Sequence, residues 1–278
     1  MPEKEIYYAN GQFIASDTPA VTLKDLSVQR GYGIFDFFRF QNGKPLFLSD
    51  HLERLQHSYR TMRLVPNESQ DELAQIVESL ILRNKLTDGG IRIIMTGGDS
   101  INGYDLGQTQ TFATVQPLQP IADSFPRTGI RLLTRNYQRQ LPEVKTTDYL
   151  MAIWLQPWMK EHNGDDILYH DNGCIRECPR SNFFMFSNKG SLVTPSIGML
   201  KGITRKNTLA VASKLKISIE ERDISVDELD HCKGCFITSS TKRLMPVHSI
   251  DGKIVSGELL GKIEQIWYEL IQLENSFS

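Results

Sequence analysis

The sequence predicts a two-domain protein that combines α/β and α+β architecture. Three observations support this: tight-turn pairs between short β-prone stretches, apolar stripes at helical spacing, and a proline-interrupted segment within 278 residues. A chain of this length can bury two cores. Two prolines interrupt a strand-like segment at Gln116–Pro120, which is typical of a boundary. We therefore expect a small α+β domain over 1–116, a linker over 117–122 and a larger α/β domain over 123–278.

Tight hairpin turns are predicted where Asn or Asp precedes Gly, because these residues tolerate positive φ. The pairs are Asn10-Gly11, Asn42-Gly43, Asn172-Gly173 and Asp251-Gly252. The predicted hairpins around them are Ile6–Ile14, Ile34–Leu48, Ile167–Ile175 and Val247–Val255. A fifth is expected to join Phe183–Phe186 to Leu192–Thr194.

Helices are predicted where apolar residues recur at helical spacing. Ser49 is expected to cap a helix with Leu52, Leu55, Tyr59 and Met62 on its apolar face. A second helix is striped by Leu73, Ile76, Val77, Leu80 and Ile81. The others are expected at Tyr149–Glu161, at Thr204–Leu215, after the Ser225 capping box, and along Leu259–Leu270.

Composition narrows the functional classes. The formal net charge of -2 lacks the basic footprint of a nucleic-acid binder. No apolar run reaches the roughly 18 residues of a membrane span, and the polar start Met1–Glu5 does not resemble a signal peptide. The sequence thus predicts a soluble, cytoplasmic protein. Cys232 and Cys235 form a CxxC pair that admits a zinc or redox role, but one such pair is a weak signal, and free thiols are expected.

Two segments have the chemistry of anion sites. In Leu200–Arg205, Gly202 permits close backbone approach, and the N–H groups of Ile203 and Thr204 open a predicted helix. The alternative is an ordinary loop with Thr204 as the helix cap. In Phe236–Thr241, an apolar strand ends in four hydroxyl residues, which can bind an anion or merely form a turn.

Six motifs occur in a characteristic order along the chain. They are Arg30–Asp36, His51–Leu55, Val144–Tyr149, Glu177–Phe184, Thr194-Pro195 with Leu200–Arg205, and Phe236–Thr241 with Pro246-Val247. Together they resemble the class IV aminotransferase family, which includes branched-chain and D-amino acid aminotransferases and aminodeoxychorismate lyase. The resemblance runs from Tyr8 to Asp251. It implies the two-domain fold type IV, pyridoxal 5'-phosphate (PLP) as cofactor, and a homodimer.

The resemblance also implies roles for cofactor-binding residues. Lys145 would carry PLP covalently and move the substrate Cα proton, and Glu177 would pair with the pyridine nitrogen. Tyr149 would contact the phenolic oxygen of the ring. The residues implied around the phosphate are Arg54, Gly202, Ile203, Thr204, Ser239 and Ser240. The alternative for each is an ordinary role, as a surface charge or a packed side chain.

A third group is expected to contact the substrate. Alternation along the strand places Phe35, Phe37 and Arg39 on one face. A phenyl ring at Phe37 should narrow the pocket, because this position is often small in the family. Arg92 is a candidate for binding a substrate carboxylate, together with the N–H of Thr241; alternatively, Arg92 pairs with a neighbouring carboxylate.

The predicted function is the transfer of an amino group between an amino acid and a 2-oxo acid. Aminodeoxychorismate lyase, which makes 4-aminobenzoate, is the closest alternative, although Phe37 lacks the hydroxyl of the threonine found there in the lyase branch. A non-catalytic protein of this fold is a further alternative, against which Lys145 and Glu177 argue. The cations Lys242-Arg243 and the residue Asp148 depart from the family pattern. The two cations are expected either to face solvent or to attract anionic substrates.

Overall fold

The computed structural model describes residues 4–118, 121–122 and 124–277. The chain forms two compact units, and two short segments from the second half of the sequence belong to the unit formed mainly by the first half. Unit 1 comprises Met1–Pro120, Val144–Asp148 and Ser276–Ser278, and unit 2 comprises Ile121–Glu143 and Tyr149–Asn275. Residues 119 and 120 of the predicted linker lie outside the described residues. So do residues 1–3, which belong to the polar start Met1–Glu5. The domain limits given above stay a prediction.

Unit 1 contains one antiparallel sheet in the strand order β2-β1-β6-β5-β3-β4. The strands are β1 (Ile6–Ala9), β2 (Gln12–Ala15), β3 (Gly33–Gln41), β4 (Lys44–Pro45), β5 (Gly89–Thr96) and β6 (Gln110–Gln116). The helices are α1 (Leu26–Arg30), α2 (Leu48–Thr61) and α3 (Gln70–Arg83). The hairpin predicted over Ile34–Leu48 is present, but its second strand is only two residues long.

The core of unit 1 lies on the sheet face that α2 and α3 cover. Phe38 and Phe40 of β3 pack there with Leu55 of α2 and Leu80 of α3, since alternate residues of a strand share a face. The predicted cap at Ser49 is wrong. Phe47, with φ 54°, is the N-cap without a side-chain hydrogen bond, because the chain turns through the left-handed region there and the helix begins before Ser49.

The segment Val144–Asp148 is hydrogen-bonded to the first half of β3. The Phe35 N–H donates to the Lys145 carbonyl at 2.9 Å, and the Thr147 N–H donates to the Gly33 carbonyl at 2.9 Å. Between them, Ile34 and Thr146 form an antiparallel bridge. These bonds fix the backbone of Lys145 against β3, so that a rigid strand determines where its side chain starts.

Unit 2 contains a mixed sheet in the strand order β13-β12-β11-β14-β15-β7-β8-β9, with β10 paired to β11 and β16 to β15. The strands are β7 (Ile130–Asn136), β8 (Asp166–Asp171), β9 (Cys174–Ile175), β10 (Glu177–Cys178), β11 (Ser181–Phe186), β12 (Leu192–Thr194), β13 (Ile219–Glu221), β14 (Gly234–Ser239), β15 (Arg243–Ile250) and β16 (Lys253–Ile254). The helices are α4 (Leu150–Trp154), α5 (Gln156–Glu161), α6 (Ile203–Lys214), α7 (Leu260–Asn275) and a 3₁₀ helix over Val226–His231.

The hairpin predictions are confirmed. All four Asn-Gly and Asp-Gly pairs have positive φ at both residues, and β11 pairs antiparallel with β12. The single helix predicted over Tyr149–Glu161 is two short helices that meet at Leu155. The physical reason is Pro157, which has no N–H to donate to the Ile153 carbonyl of a continuous helix.

Two helices and a set of thiols complete the core of unit 2. Val211 of α6 and Trp267 of α7 pack with aromatic residues of β11 and β14, and the last helix is confirmed where its stripe predicts it. Cys178, Cys232 and Cys235 are buried among apolar neighbours, and all four cysteines are free, as predicted. Among the described residues, every helix is too short or too polar to cross a membrane.

Candidate active site

One cluster of predicted site residues lies on the face of the unit 1 sheet opposite α2 and α3. Phe35 and Phe37 of β3 point to this face, and Arg92 of β5 is the cross-strand partner of Phe37. The Arg92 guanidinium carbon lies 4.9 Å from the Phe35 ring centroid and 5.5 Å from that of Phe37. Lys145 Nζ lies 4.5 Å from the Phe35 centroid. Both cations thus lie within cation–π distance of the Phe35 ring.

Arg54 belongs to a buried network on the other face of β3. Its Nε and Nη2 donate to the two carboxylate oxygens of Asp36 at 2.9 and 2.8 Å. His51 Nδ1 lies 2.7 Å from Asp36 Oδ1. This paired geometry fixes the guanidinium plane, so the side chain predicted to bind phosphate is held rigidly by a carboxylate that the sequence analysis did not assign.

Burial and the neighbouring charged or polar groups shift the pKa values of Asp36 and His51 in opposite directions. Burial disfavours the ionised form of Asp36, but the Arg54 guanidinium and His51 outweigh it and hold the pKa of this carboxyl well below its usual range. Burial lowers the pKa of His51 from 6.5 despite the neighbouring Asp36, and the Arg54 and Lys145 charges lower it further. The imidazole is therefore neutral at pH 7, and its Nδ1–H donates to Asp36.

A second cluster, in unit 2, surrounds Glu177. Arg139 Nε donates to Glu177 Oε1 at 2.8 Å, and the two side chains are 13% and 7% exposed. The other carboxylate oxygen, Oε2, accepts the Leu200 N–H at 3.0 Å. Buried charge is tolerated where it is paired and hydrogen-bonded in this way. Glu177 is therefore a fixed anion.

Helix α6 begins beside this carboxylate with no side-chain cap on its first turn. Gly202 is the N-cap residue, not Thr204, because Thr204 already has helical geometry inside α6. A Cβ on Gly202 would lie 2.2 Å from Asn182 Oδ1, so only glycine fits here. Asn182 Nδ2 also donates to the Leu200 carbonyl at 2.7 Å, which holds the loop that leads into the helix.

The hydroxyl residues Ser239, Ser240 and Thr241 lie where β14 ends and turns into β15. The Lys242 N–H donates to Ser239 Oγ at 3.3 Å, so this turn has an internal polar contact. Tyr149 is half-buried and forms the N-cap position of α4.

The structure pairs both cations that depart from the motif with carboxylates. Lys242 Nζ lies 2.9 Å from Asp166 Oδ2. Arg243 is 5% exposed and donates from Nη2 to Glu274 Oε2 at 2.7 Å. Arg243 therefore neither faces solvent nor offers its charge to a substrate, since it anchors α7 to β15. This packing corrects both expectations for Arg243, whereas the side chain of Lys242 stays 26% exposed in its pair with Asp166.

Sequence reasoning missed Arg139, Asn182, His51 and Asp36 as members of these clusters. Three of them, His51, Asp36 and Asn182, lie inside recognised motifs. Polar residues within such apolar segments indicate side chains that are buried and hydrogen-bonded to partners. Arg139 had no such signal, because its contact with Glu177 joins residues 38 positions apart.

Comparison with known proteins places this geometry in a family. The family described as amino-transferase class IV matches residues 33–250. D-alanine aminotransferase of Listeria monocytogenes is 27% identical over 275 residues, covering 94% of each chain. The branched-chain amino acid aminotransferase of Escherichia coli superposes with a TM-score of 0.87 at 23% identity, covering 96% of this chain and 95% of that one.

A hypothetical aminotransferase from Mycobacterium tuberculosis, solved in its PLP-bound form, is also similar in structure. It gives a TM-score of 0.82 at 21% identity and covers 96% of this chain and 98% of its own. These likenesses confirm the predicted fold type IV. The family match covers well over half of the sequence, and the chain belongs to the class IV aminotransferase family.

Proposed function

We propose that this protein is a PLP-dependent aminotransferase that moves an amino group between an amino acid and a 2-oxo acid. The observation that carries the proposal is the placement of Lys145. Its backbone is hydrogen-bonded to β3, and its amine lies over Phe35 on the face that also bears Arg92. A lysine fixed in this way has the chemistry needed to hold a carbonyl cofactor.

The remaining residues fit PLP by the chemistry of their donors. The uncapped start of α6 offers N–H groups to a phosphate, and Gly202 keeps that start in place because a Cβ there would collide with Asn182 Oδ1. Arg54, oriented by Asp36, is proposed to bind the same phosphate. Glu177 offers the anion that a pyridinium nitrogen requires. We propose that Thr204, Ser239 and Ser240 add hydroxyl donors, and that Tyr149 binds the phenolic oxygen.

The cofactor, when bound, supplies an electron-accepting ring that allows the Cα–H bond of an amino acid to break. In our proposal Lys145 would hold the cofactor, and its free amine would accept the proton from the substrate Cα and return it on the product side. Glu177 would hold the proton on the ring nitrogen, and its carboxylate is fixed for this role by Arg139 and Leu200.

Substrate binding is proposed to depend on the cations of the unit 1 sheet. Arg92 offers paired N–H donors to a carboxylate, and Arg39 lies on the same strand face as Phe35 and Phe37. The N–H of Thr241 is proposed to assist. Favourable cation–π contacts hold the Arg92 guanidinium, so its geometry is set before a substrate arrives.

A spectroscopic half-reaction tests the proposal. The PLP-loaded protein is mixed with single amino acids of either hand, and transamination is expected to convert the visible absorbance of bound cofactor to that of its amine form. Borohydride reduction followed by peptide mapping is expected to place the cofactor on Lys145. Lys145→Ala should lose the visible band, whereas the exposed Lys160→Ala should keep it.

Other outcomes separate the alternatives. Release of 4-aminobenzoate and pyruvate from aminodeoxychorismate, with no spectral change on any amino acid, would establish a lyase instead. A protein that cannot be loaded with PLP would establish a non-catalytic role. Phe37 provides no hydroxyl, and the first of these outcomes is not expected.

We also propose a homodimer and a cytoplasmic location. The support for a dimer is apolar exposure: Leu23, Ile101 and Tyr104 in unit 1 are at least 83% exposed, and Leu150 and Trp154 in unit 2 more than 70%. Light scattering after size exclusion should give about twice the 31.7 kDa chain mass. Four free thiols suit a reducing compartment, and fractionation of the source cells tests the location.

A further inference from the structure

Two consecutive glycines of β5 each make room for a phenyl ring of β3, on opposite faces of the sheet. A Cβ on Gly89 would lie 2.6 Å from Phe40 Cζ, and a Cβ on Gly90 would lie 2.5 Å from Phe37 Cζ. Both distances are far below ordinary contact. The rings therefore occupy the space in which side chains at positions 89 and 90 would otherwise project.

The strand register explains this arrangement. Phe40 lies directly opposite Gly89, whereas Phe37 lies opposite Arg92 and reaches Gly90 along the diagonal, a distance that an aromatic ring can span. Leu118 also approaches Gly90, with its Cδ1 3.0 Å from the place of a Cβ. The Phe37 ring is thus confined between Arg92 on one side and the Gly90 backbone on the other.

The two ring–glycine pairs have different surroundings. Phe40 belongs to the hydrophobic core of unit 1 beneath α2 and α3, so the Phe40–Gly89 pair serves packing. Phe37 lies outside that core cluster, on the face where Arg92 and Lys145 lie over Phe35. The Phe37–Gly90 pair therefore shapes the surface next to the amine and guanidinium proposed to act on substrates.

We infer that Phe37 and Gly90 together form a size filter that favours amino acids and 2-oxo acids with short side chains over branched or aromatic ones. The inference rests on the proposed aminotransferase function. Phe37 supplies the bulk, and Gly90 is required because any larger residue would push the ring away from its place. One methylene in a confined apolar site changes discrimination by about tenfold or more, so a whole phenyl ring dominates the choice.

The test compares three variants across one substrate series. Wild type, Phe37→Gly, Gly90→Ala and the matched control Gly89→Ala are loaded with PLP and assayed with alanine, 2-aminobutyrate, norvaline and leucine of both hands. Wild type should prefer alanine. Phe37→Gly should raise kcat/KM for leucine relative to alanine at least about tenfold. Gly90→Ala should change this ratio, whereas Gly89→Ala should lower stability and leave the ratio unchanged.

A binding measurement gives a second readout and keeps the two proposals separate. Calorimetry with unreactive carboxylates from acetate to hexanoate should show affinity in wild type that falls with chain length, and affinity in Phe37→Gly that rises with it. The milder Phe37→Val should change in the same direction if the glycine variant does not fold. A leucine-to-alanine ratio and a carboxylate series that both stay within twofold of wild type would overturn the size filter. Spectral silence with every amino acid would instead overturn the aminotransferase proposal.

Discussion

Arg139 and Glu177 form a buried ion pair in which two guanidinium nitrogens converge on a single carboxylate oxygen. Nε and Nη2 of Arg139 each lie 2.8 Å from Glu177 Oε1, while Oε2 accepts the Leu200 N–H. The proposed partner of the pyridine nitrogen is thus held from two sides. Because removal of one member leaves the other charge buried and unpaired, the pair matters for stability as well as for catalysis.

The first prediction concerns this pair. Arg139→Gln should lower the free energy of unfolding by about 3 kcal/mol, because Glu177 would keep its charge without its cation. Urea unfolding followed by circular dichroism measures the change. The control is Arg131→Gln, which breaks the exposed pair with Asp165, whose side chains are 50% and 39% exposed. That change should cost less than about 1 kcal/mol, and equal losses in the two variants would contradict the prediction.

The contrast between Arg139 and the hairpin turns shows what a single sequence can predict. Turns such as Asn10-Gly11 and stripes such as that of α7 depend on neighbouring residues, so local chemistry locates them. Pro157 interrupts a helix for an equally local reason. The sequence therefore contained enough information to predict this break. By contrast, Arg139 meets Glu177, and Arg243 meets Glu274, only after distant strands and helices have packed. Propensity contains no information on such pairs, and the motif resemblance identified Glu177 without its partner.

A second prediction concerns the loop before α6. Gly202→Ala should raise the dissociation constant of PLP about tenfold or more, because the new Cβ would meet Asn182 Oδ1 at 2.2 Å and displace the helix N-terminus. Absorbance titration of the PLP-free protein measures this. Gly261→Ala makes the same chemical change where nothing lies within 4 Å and should bind PLP as wild type does. Unaltered PLP affinity in Gly202→Ala would remove this loop from the cofactor site.

A third prediction is a dependence of stability on pH that arises from His51. Because burial lowers the pKa of His51 below 6.5, the unfolded chain binds a proton below pH 6.5 that the folded chain does not. The contribution of neutral His51 to the free energy of unfolding is therefore fully present above pH 6.5, and it is lost as the pH falls toward the pKa of His51 in the folded state. The slope approaches about 1.4 kcal/mol per pH unit for one proton. Asp36, with its ordinary pKa near 3.8 lowered further, stays ionised in both states between pH 5 and about pH 8.

Urea unfolding at half-unit intervals from about pH 5 to pH 8 measures this slope. His51→Asn keeps a donor for Asp36 but cannot titrate, so its stability should fall less steeply below pH 6.5 than that of wild type. The exposed His57→Asn serves as the control and should follow wild type. Parallel curves for wild type and His51→Asn would show that His51 does not bind a proton on unfolding.

The last prediction concerns Arg92 and the substrate. Its guanidinium carbon lies 4.9 and 5.5 Å from the ring centroids of Phe35 and Phe37, on the sheet face where the Lys145 amine also lies over Phe35. A charge-assisted contact of these donors with a carboxylate contributes about 2 kcal/mol, or about thirtyfold in affinity. Arg92→Leu should therefore raise the KM of the amino donor about thirtyfold, with PLP affinity changed far less. Arg92→Lys retains the charge but loses the paired donors, so it should fall between wild type and Arg92→Leu. If KM for the accepted donors is the same in all three proteins, Arg92 has a structural role alone, and the carboxylate must be bound by other donors such as the Thr241 N–H.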